Sequence, residues 1–482
     1  MGICAPFYLR NALGAAKLTC YTGRAMPEVR LPYGDSMVRV ELPGRAKMVG
    51  GNGGPRLAGV ADQERTVRDA LANPIGLPRI GELVRPGASV LIAFDDPTAP
   101  SFGPVRRLAI EAVLAELRKA GVPEDNVRLL CANALHRRWT RGELARILGQ
   151  QLVDRFGDRL QCHDAEDAGN ILDLGTTPSG YHVDLHRLAV ESDLTIYVNA
   201  ACHLGFNGGW KSVAVGLSTW RSIRHTHTPD GMSMSVRDNR MHEVFAEQGY
   251  HIESKLGRRI FKLETVLANP VTIASCWAGG IDETRQAALT LISSVHSPRR
   301  DSSHGEKADI IVYGVPNWSP YATFAEMNPI LTLVSSALGY LGGYVEALGK
   351  PGCSVIIATP CPEQWDMEHH PSYKEVWERV LPATKDPYEI TARFGEEFAT
   401  HAGYIEQYSR GYAFHPVHGI LATHPLKRLR HAGRIYVAGP DDPAVPKHLG
   451  FLPTATVEDA IREAERVHGQ DAAIACVRNP GG

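Results

Sequence analysis

The stretch LTIYVNAACHLGFNGGWKSVAVGL, residues 194–217, decides the fold of this chain, because it joins three patterns that belong to one structural unit. It opens on a short apolar run, which is typical of a buried strand. A loop with three glycines follows, and Lys211 and Ser212 stand at the start of a helical pattern. A strand that passes through a glycine-rich turn into a helix is a repeating unit of α/β proteins. The stretch therefore predicts an α/β fold and raises the question of what the lysine binds.

The same alternation of strand and helix runs through the sequence from about residue 85. Short apolar runs are ASVLIAF (88–94), VRLLCANA (127–134) and DLTIYVNA (193–200). Between the first two lies PVRRLAIEAVLAELRKAG (104–121), which has proline at its start, glycine at its end and apolar residues at helical spacing. Strands that alternate with helices of this length favour a mostly parallel, Rossmann-like sheet.

A polar segment divides the chain into two predicted domains. SSVHSPRRDSSHGEKAD (293–309) carries a proline and few apolar residues, which is typical of a linker, and the strand and helix patterns restart after it. We therefore predict an N-terminal catalytic domain over residues 1–295 and a C-terminal α/β domain over residues 305–482, with the active site in the cleft between them. VRLPYGDSMVRVELP (29–43) predicts a β element that is added to the first domain.

The composition excludes several classes of protein. At 482 residues and 52.6 kDa the chain is longer than one hydrophobic core usually organises, which agrees with two domains. A hydrophobic fraction of 44% and a charged fraction of 22% are close to the averages of globular proteins. The net charge of −2 argues against a nucleic-acid or membrane partner. No apolar window has the length of a membrane span, and nine scattered cysteines form no CxxC pair, so we expect a cytoplasmic protein without a disulfide framework.

The lysine of the opening stretch lies in a loop that is similar to the phosphate-binding loop of nucleoside triphosphatases. Such a loop reads GxxxxGK[ST], with glycine directly before the lysine so that backbone amides close around phosphate. In GFNGGWKS (205–212) the residue before Lys211 is Trp210. This difference disfavours a triphosphatase, and the plain alternative is a tight turn with a solvated lysine.

Other polar side chains follow the ends of the predicted strands. Because the carboxyl ends of parallel strands face one crevice, these side chains are expected to converge there. The groups are Asp95, Asp96 and Thr98 in DDPTAP, His136, Arg137 and Arg138 in NALHRRWT, His203 in the lysine loop, and His225 and His227 in RSIRHTHT. Carboxylates, histidines and a lysine in one crevice indicate a catalytic or cofactor site rather than a solvated lysine.

Four motifs resemble the nickel-dependent lactate racemase family, whose members carry a nickel-pincer nucleotide. They are DDPTAP, ALHRRWTRGEL, GFNGGWKSVAVGLSTWRSIRHTH and VEDAIREAERVHG, and the resemblance runs from Leu31 to the last predicted strand. It implies that Lys211 holds the cofactor, a pyridinium-3-thioamide-5-thiocarboxylic acid mononucleotide with nickel, covalently as a thioamide. It also implies that a histidine about sixteen residues later ligates nickel, which is His227, with His225 as the alternative.

The resemblance assigns further roles. The implied cofactor contacts are Asp95, Asp96, Thr98, Gly208 and Gly209. His136 matches one of the family's two catalytic histidines, since Arg-x-x-Thr follows it. The position of the second histidine is Ala201 in this chain, so His203 is the candidate that replaces it. Arg137 and Arg138 are the candidates for binding the substrate.

The implied reaction is racemisation or epimerisation of a 2-hydroxy acid through a 2-keto acid. One histidine removes the hydroxyl proton while the α-hydride leaves, and return of the hydride to the other face inverts the centre. Histidine suits this work because its ordinary pKa is about 6.5. Ala99 stands where the family's DDxTR pattern has arginine, and YATFAEMNPILTLVSSALGY (321–340) lacks the expected glutamine and lysine. We therefore expect a substrate other than plain lactate.

Two alternatives stay open from the sequence. A single asymmetric histidine would suit a cofactor-bearing homologue with a different redox or isomerase reaction. A non-catalytic nucleotide-binding or cofactor-storing protein would need only the loop and its lysine. For the enzyme, the expected partners are a small-molecule 2-hydroxy acid and the proteins that synthesise the cofactor, and homo-oligomerisation is open.

Overall fold

A computed structural model describes residues 28–50, 57–201, 207–231, 240–295 and 306–478. Its strands are β1 (Glu28–Gly34), β2 (Ser36–Glu41), β3 (Lys47–Val49), β4 (Val90–Asp95), β5 (Val127–Ala132), β6 (Leu160–Cys162), β7 (Ile171–Thr176), β8 (His182–His186), β9 (Leu194–Ala201), β10 (Phe261–Asn269), β11 (Thr272–Gly279), β12 (Ala308–Pro316), β13 (Gly349–Ala358), β14 (Arg434–Ala438), β15 (Leu452–Thr454) and β16 (Ile474–Val477).

The α-helices are α1 (Gln63–Ala72), α2 (Ile80–Leu83), α3 (Val105–Lys119), α4 (Arg141–Leu148), α5 (Gln150–Phe156), α6 (Arg187–Glu191), α7 (Lys211–Ala214), α8 (Trp220–Ile223), α9 (Arg240–Leu256), α10 (Ile281–Ser293), α11 (Gly343–Leu348), α12 (Pro371–Glu375), α13 (Leu381–Ala383), α14 (Pro387–Ala399), α15 (Ala402–Arg410), α16 (Val417–Leu421), α17 (Ala444–His448) and α18 (Val457–His468). Short 3-10 helices cover Glu124–Asn126, Gly157–Arg159, Pro320–Ala322 and His424–Arg430, and π-helices cover Ile330–Tyr340 and Val376–Val380.

The first sheet has the order β11-β10-β9-β4-β5-β6. The strands from β10 to β6 are parallel to their neighbours, and β11 pairs with β10 in the antiparallel sense. Every residue of β9 is buried, which explains why its sequence is mostly apolar. The predicted α/β class with a mostly parallel sheet is therefore confirmed.

The second sheet joins the C-terminal strands to the opening segment of the chain. Its order is β15-β14-β13-β12-β1-β2, and β16 pairs with both β12 and β3. The prediction that the opening β element belongs to the first domain is therefore wrong. The physical reason is packing: Val29 and Leu31 lie buried in one core cluster with Ile310 and Ile356 of the second sheet. The sequence pattern of a strand defines its buried face but not the sheet that covers it.

A further apolar cluster connects the two parts of the chain. It contains Leu130 and Val213 from the first part and Tyr313 and Val355 from the second. This shared core holds the carboxyl ends of the first sheet against the second domain, so a crevice between them has walls from both. The boundary predicted between residues 295 and 305 stays a prediction. No helix in the described part of the chain is long and apolar enough to cross a membrane.

The buried histidines predict that the free energy of unfolding falls on acidification. Burial lowers the pKa of His163 to about 3, of His370 to about 4 and of His424 to about 3. The unfolded chain binds protons at these side chains near the ordinary pKa of about 6.5, whereas the folded chain does not. The stabilisation is therefore complete above about pH 6.5 and is lost as the pH falls toward the folded-state values.

We expect each of these histidines to lower the free energy of unfolding by up to about 1.4 kcal/mol per pH unit below about pH 6. Chemical denaturation at pH 7, 6 and 5 measures this slope. An unfolding free energy that stays constant over these three values would contradict the prediction.

Candidate active site

A cavity opens between the two domains, and residues from both form its wall. The first domain supplies Ala134, Leu135, His136, Lys211, Val215, Ile223, His227 and Met241. The second supplies Tyr321, Ser335, Gly339, Tyr340, His418, Leu421, Ala422, Pro425, Lys427 and Arg428. None of these described lining side chains is a carboxylate, whereas Lys211, Lys427 and Arg428 carry positive charge. The cavity therefore suits an anionic ligand with an apolar part.

Lys211 is the first residue of α7 and lines the cavity. Gly208 and Gly209, which precede it, have φ angles of +97° and +55°, a region that favours glycine. A Cβ on Gly208 would lie 2.4 Å from Glu264 Oε1, so the close approach of this carboxylate also requires glycine. The turn thus places the lysine at the cavity wall.

The described part of the glycine loop is held by protein groups. The Gly209 N–H donates to Glu264 Oε2 at 3.1 Å, and Arg285 Nη1 donates to the Asn207 carbonyl at 2.8 Å. Arg285 also pairs with Glu264 at 3.2 Å. A carboxylate thus already accepts from the Gly209 N–H, and the implied cofactor contacts of Gly208 and Gly209 stay predictions. Residues 202–206, with His203, lie outside the described residues, so the role of His203 stays a prediction.

His136 lies at the cavity and is oriented by the motif that follows β4. Its Nδ1 lies 2.9 Å from Asp96 Oδ2, and Thr98 donates its hydroxyl to the other oxygen of that carboxylate. Although burial raises the pKa of Asp96, the neighbouring His136 and the hydrogen bonds hold it below its ordinary value. An ionised Asp96 accepts a hydrogen bond from the Nδ1–H, so the lone pair of His136 is on Nε2. Asp96 and Thr98 therefore position His136. The family resemblance implies instead that they contact the cofactor.

Asp95 has a structural role. Its carboxylate accepts hydrogen bonds from Tyr197 Oη at 3.0 Å and from the Ala200 N–H at 2.9 Å, which ties β4 to β9. Burial raises the pKa of Asp95 above its ordinary value. Asp95 is not among the residues that line the cavity, and its contact with the cofactor stays a prediction.

A buried arginine that the sequence analysis did not single out fixes the loop after β4. Arg106 donates to the main-chain carbonyls of Asp95, Asp96, Ala99 and Ser101. It lies on α3 in the same stripe as the buried Ile110 and Val113. A charged residue on the apolar face of a predicted helix was the signal that could have identified it.

His227 lines the cavity together with Lys211. Its Nδ1 lies 2.9 Å from Thr226 Oγ1, and that hydroxyl donates to the Ile223 carbonyl at 2.8 Å. Since the hydroxyl gives its one proton to the carbonyl, its oxygen accepts from Nδ1, and the lone pair of His227 is on Nε2. Burial, assisted by the charge of Lys211, lowers the pKa of His227 well below its ordinary value. A neutral imidazole with its lone pair on Nε2 is the form that ligates a metal, so His227 fits the nickel position.

His225, the alternative nickel ligand, is engaged elsewhere. Its Nε2 accepts the backbone N–H of His182 at 3.1 Å, and its ring lies 5.4 Å from that of Tyr181. It is not a lining residue of the cavity. The geometry thus favours His227 over His225.

Arg137 and Arg138 are not brought to the cavity, contrary to the prediction that they bind the substrate. Arg137 is fully buried and donates to Glu143 at 2.6 and 3.2 Å. Arg138 donates to the Gly411 carbonyl at 3.2 Å and lines a separate cavity. The physical reason is the capping box of α4, because Glu143 reaches back to Thr140 and its carboxylate there neutralises Arg137.

Asp173, His182 and Asp184 form another group that could hold a metal ion, judged by the spacing of their side-chain atoms. The guanidinium of Arg221 pairs with Asp184 at 2.7 Å and with Asp173 at 3.1 Å. These ion pairs, together with the hydrogen bond between His182 and Asp184, give the carboxylates protein partners, so the group is explained without a metal.

His418 is a further lining residue that the sequence analysis missed. Its ring lies 5.3 Å from His136 and 4.4 Å from Tyr321, centroid to centroid. The segment HPVHGILATH (415–424) holds three histidines, and this local enrichment was the available signal. Ala201, the expected position of a second histidine, is fully buried against Val266, away from the cavity.

Known proteins that resemble this chain are lactate racemases. Residues 33–240 match the family described as the lactate racemase N-terminal domain. The chain is 25% identical over 349 residues to the lactate racemase of Thermoanaerobacterium thermosaccharolyticum, a match that covers 70% of this chain and 75% of that protein. It is also 25% identical over 246 residues to the lactate racemase of Lactiplantibacillus plantarum, covering 49% of this chain and 55% of that protein.

The fold has a counterpart among solved structures. The lactate racemase apoprotein from Thermoanaerobacterium thermosaccharolyticum superposes with a TM-score of 0.68 at 22% identity, over 94% of this chain and 98% of that one. The sequence matches confirm the resemblance to lactate racemases, and the structural match confirms the mixed α/β fold, with which the two-domain arrangement is consistent.

Proposed function

We propose that this chain, whose residues 33–240 match the lactate racemase N-terminal domain, is an isomerase that racemises or epimerises a 2-hydroxy acid. The observation that supports it most is the meeting of His136, Lys211 and His227 at one cavity without a lining carboxylate. These are the residues that the family resemblance assigns to proton transfer, to cofactor attachment and to nickel ligation. Three separate motifs that converge at one cavity support one site rather than three unrelated residues.

The residues fit the cofactor of the family. Lys211 would hold the nickel-pincer nucleotide through its Nζ, and His227 would ligate nickel through Nε2. The bound group would supply the acceptor and donor of the α-hydride. The chain's own work is then to bind the substrate, to orient it and to move the hydroxyl proton.

His136 is the proposed base. Asp96 fixes its ring through Nδ1, so Nε2 presents its lone pair to the cavity and takes the proton of the substrate hydroxyl. The carboxylate also stabilises the imidazolium that forms. In the reverse direction the same Nε2–H returns the proton to the oxygen.

The cavity supports a substrate larger than lactate. Ala99 replaces the arginine of the family pattern, so recognition of the substrate carboxylate falls to the cations on the cavity wall. Lys427, whose Nζ also donates to the Pro229 carbonyl at 2.8 Å, and Arg428, which pairs with Glu346 at 2.9 Å, come from the second domain. Apolar lining side chains such as Met241 and Leu421 suit a hydrocarbon substituent on the α-carbon.

A cofactor-bearing homologue with a one-sided redox reaction is the second candidate function. It is favoured by one observation, which is that the described residues at the cavity provide one histidine fixed by a carboxylate. Such an enzyme would remove hydride and proton at one face, release the 2-keto acid, and return both to the same face of a second 2-oxo acid.

The test is stereochemical turnover by the protein produced together with the cofactor-synthesis enzymes. A panel of α-deuterated 2-hydroxy acids, with methyl, branched aliphatic and benzyl substituents, is incubated and each enantiomer is quantified by chiral chromatography. We expect inversion with an apolar substituent larger than methyl. Net release of 2-keto acid without inversion would select the one-sided reaction, and absence of any turnover by protein with a loaded lysine would reject both enzymes in favour of cofactor storage.

A further inference from the structure

His418, on α16, stands beside the proposed base. The ring centroids of His418 and His136 are 5.3 Å apart, and the ring planes are nearly perpendicular at 84°. Two rings in edge-to-face contact leave no room for a substrate between them. The two imidazole rings would therefore contact the same end of a bound molecule, and they would not lie on its opposite faces.

A buried tyrosine determines which nitrogen of His418 carries the proton. Tyr373 Oη lies 2.7 Å from His418 Nδ1, and Tyr373 is fully buried. Among the described residues this is the hydrogen bond found for the Tyr373 hydroxyl, so the phenol O–H donates the hydrogen bond and Nδ1 accepts it. His418 then carries its own proton on Nε2. That nitrogen makes no hydrogen bond to a described residue and is the group that His418 offers at the cavity.

The surroundings keep both partners neutral. Burial, assisted by the neighbouring histidines, lowers the pKa of His418 well below its ordinary value. Burial likewise raises the pKa of Tyr373 well above its ordinary value, so the phenol stays protonated and acts as a hydrogen-bond donor. His136 differs in that an ionised carboxylate holds its Nδ1–H, which places a lone pair on Nε2. The two adjacent imidazoles thus present opposite groups, an acceptor on His136 and a donor on His418.

We propose that His418 is a second catalytic residue, a fixed neutral donor whose Nε2–H bonds to the reacting oxygen of the substrate while His136 takes the hydroxyl proton. This inference rests on the proposed function. The O–H bond breaks and its proton moves to His136 Nε2, and the C–O bond becomes a carbonyl as the α-hydride leaves. The bound cofactor would supply the acceptor for that hydride. His418 transfers no proton. It stabilises the negative charge that develops on the oxygen.

The assignment also accounts for a difference from the family pattern. The resemblance implies that an arginine at position 99 would either engage the substrate carboxylate or polarise the reacting oxygen, and Ala99 can do neither. A neutral imidazole donor supplies a directed hydrogen bond from the second domain instead. It adds no positive charge next to His136, so it does not disfavour the protonated state that His136 reaches during the reaction.

The tautomer is tested by nitrogen NMR of the full-length chain with ¹⁵N-labelled histidine. We expect His418 to show a protonated Nε2 and an unprotonated Nδ1, and the Tyr373→Phe variant to lose this pattern and mix the two forms. Addition of phenylpyruvate, a 2-oxo acid probe, to the cofactor-loaded protein is expected to shift the Nε2 signal. A protonated Nδ1 in the wild type, or an Nε2 signal that phenylpyruvate leaves unmoved at saturation, would overturn the assignment.

Kinetics of the loaded protein give the second test. We expect His418→Ala to lower kcat by about 10²- to 10³-fold, as removal of one oxyanion donor does. His418→Gln keeps an N–H donor and is expected to recover most of that loss. His431→Gln is the matched control, since His431 is bonded to the Gly349 carbonyl and does not line the cavity. Equal losses in the alanine and glutamine variants, both with a wild-type melting temperature, would overturn the donor role.

The two proposals fail in different ways. A wild-type protein that carries the cofactor but turns over no 2-hydroxy acid rejects the proposed function, and the NMR experiment with phenylpyruvate still decides the tautomer and ligand contact of His418. A wild-type protein that inverts its substrate while His418→Ala remains fully active rejects the role of His418 alone.

Discussion

Replacing Lys211 with arginine is expected to abolish turnover of every 2-hydroxy acid and to remove the cofactor mass from the protein. Arginine keeps the positive charge at the first position of α7, but its guanidinium does not form the thioamide that the resemblance implies for the Lys211 amine. The cofactor carries the hydride step, so no residual route through the protein is expected. Intact mass of protein produced with the cofactor-synthesis enzymes measures the loss directly.

The control for this substitution is Lys255→Arg, since Lys255 is exposed near the end of α9. This variant should carry the same adduct mass as the wild type and should keep its activity. An adduct that persists in the Lys211→Arg protein would place the attachment at another lysine and would remove the main support for the proposed function.

Replacing His136 with alanine is the second large effect, and kcat is expected to fall by about 10²- to 10⁴-fold because the base is lost. Asp96→Asn is expected to give a loss of similar size, since an amide does not hold the Nδ1–H tautomer as a carboxylate does. Steady-state kinetics of the cofactor-loaded variants measure both. The adduct mass should stay at the wild-type value, because neither side chain holds the cofactor in the proposed site.

His225→Ala is the matched control for His136→Ala. His225 follows α8 in the same domain as His136, yet it bonds to the backbone of His182 and does not line the cavity. We expect its kcat to stay within a few-fold of the wild type, as for other substitutions that touch no reacting group. A His225→Ala protein that loses nickel while His227→Ala retains it would show that the metal ligand has been assigned to the wrong histidine.

The sequence predicted the first sheet well because the relevant signals are local. The run from Leu194 is buried along its whole length, and the helix from Pro104 to Gly121 appears as α3 with its capping residues close to where the pattern ends. The opening strands were assigned to the wrong domain because the choice of sheet depends on contacts with residues almost 300 positions away, such as those between Val29 and Ile310. The spacing of apolar residues along the chain does not predict such long-range contacts.

The site was predicted in part, and the errors have a common cause. His136, Lys211 and His227 line the cavity, whereas the neighbours Arg137 and Arg138 point into other surroundings. The prediction assumed that the side chains of neighbouring loop residues, here His136, Arg137 and Arg138, point the same way. His418 was missed because it belongs to the second domain and approaches the motifs only after the domains pack.

The contacts of Arg106 have a consequence for how the substrate preference of this fold can change. The guanidinium binds peptide carbonyls, including that of Ala99, and these groups are present whichever side chain the residue bears. The backbone path of the loop is thereby uncoupled from the identity of residue 99. Residue 99 can therefore be substituted to change which acids the site accepts. The position of Asp96 and the orientation of His136 should not change, because the loop backbone stays in place.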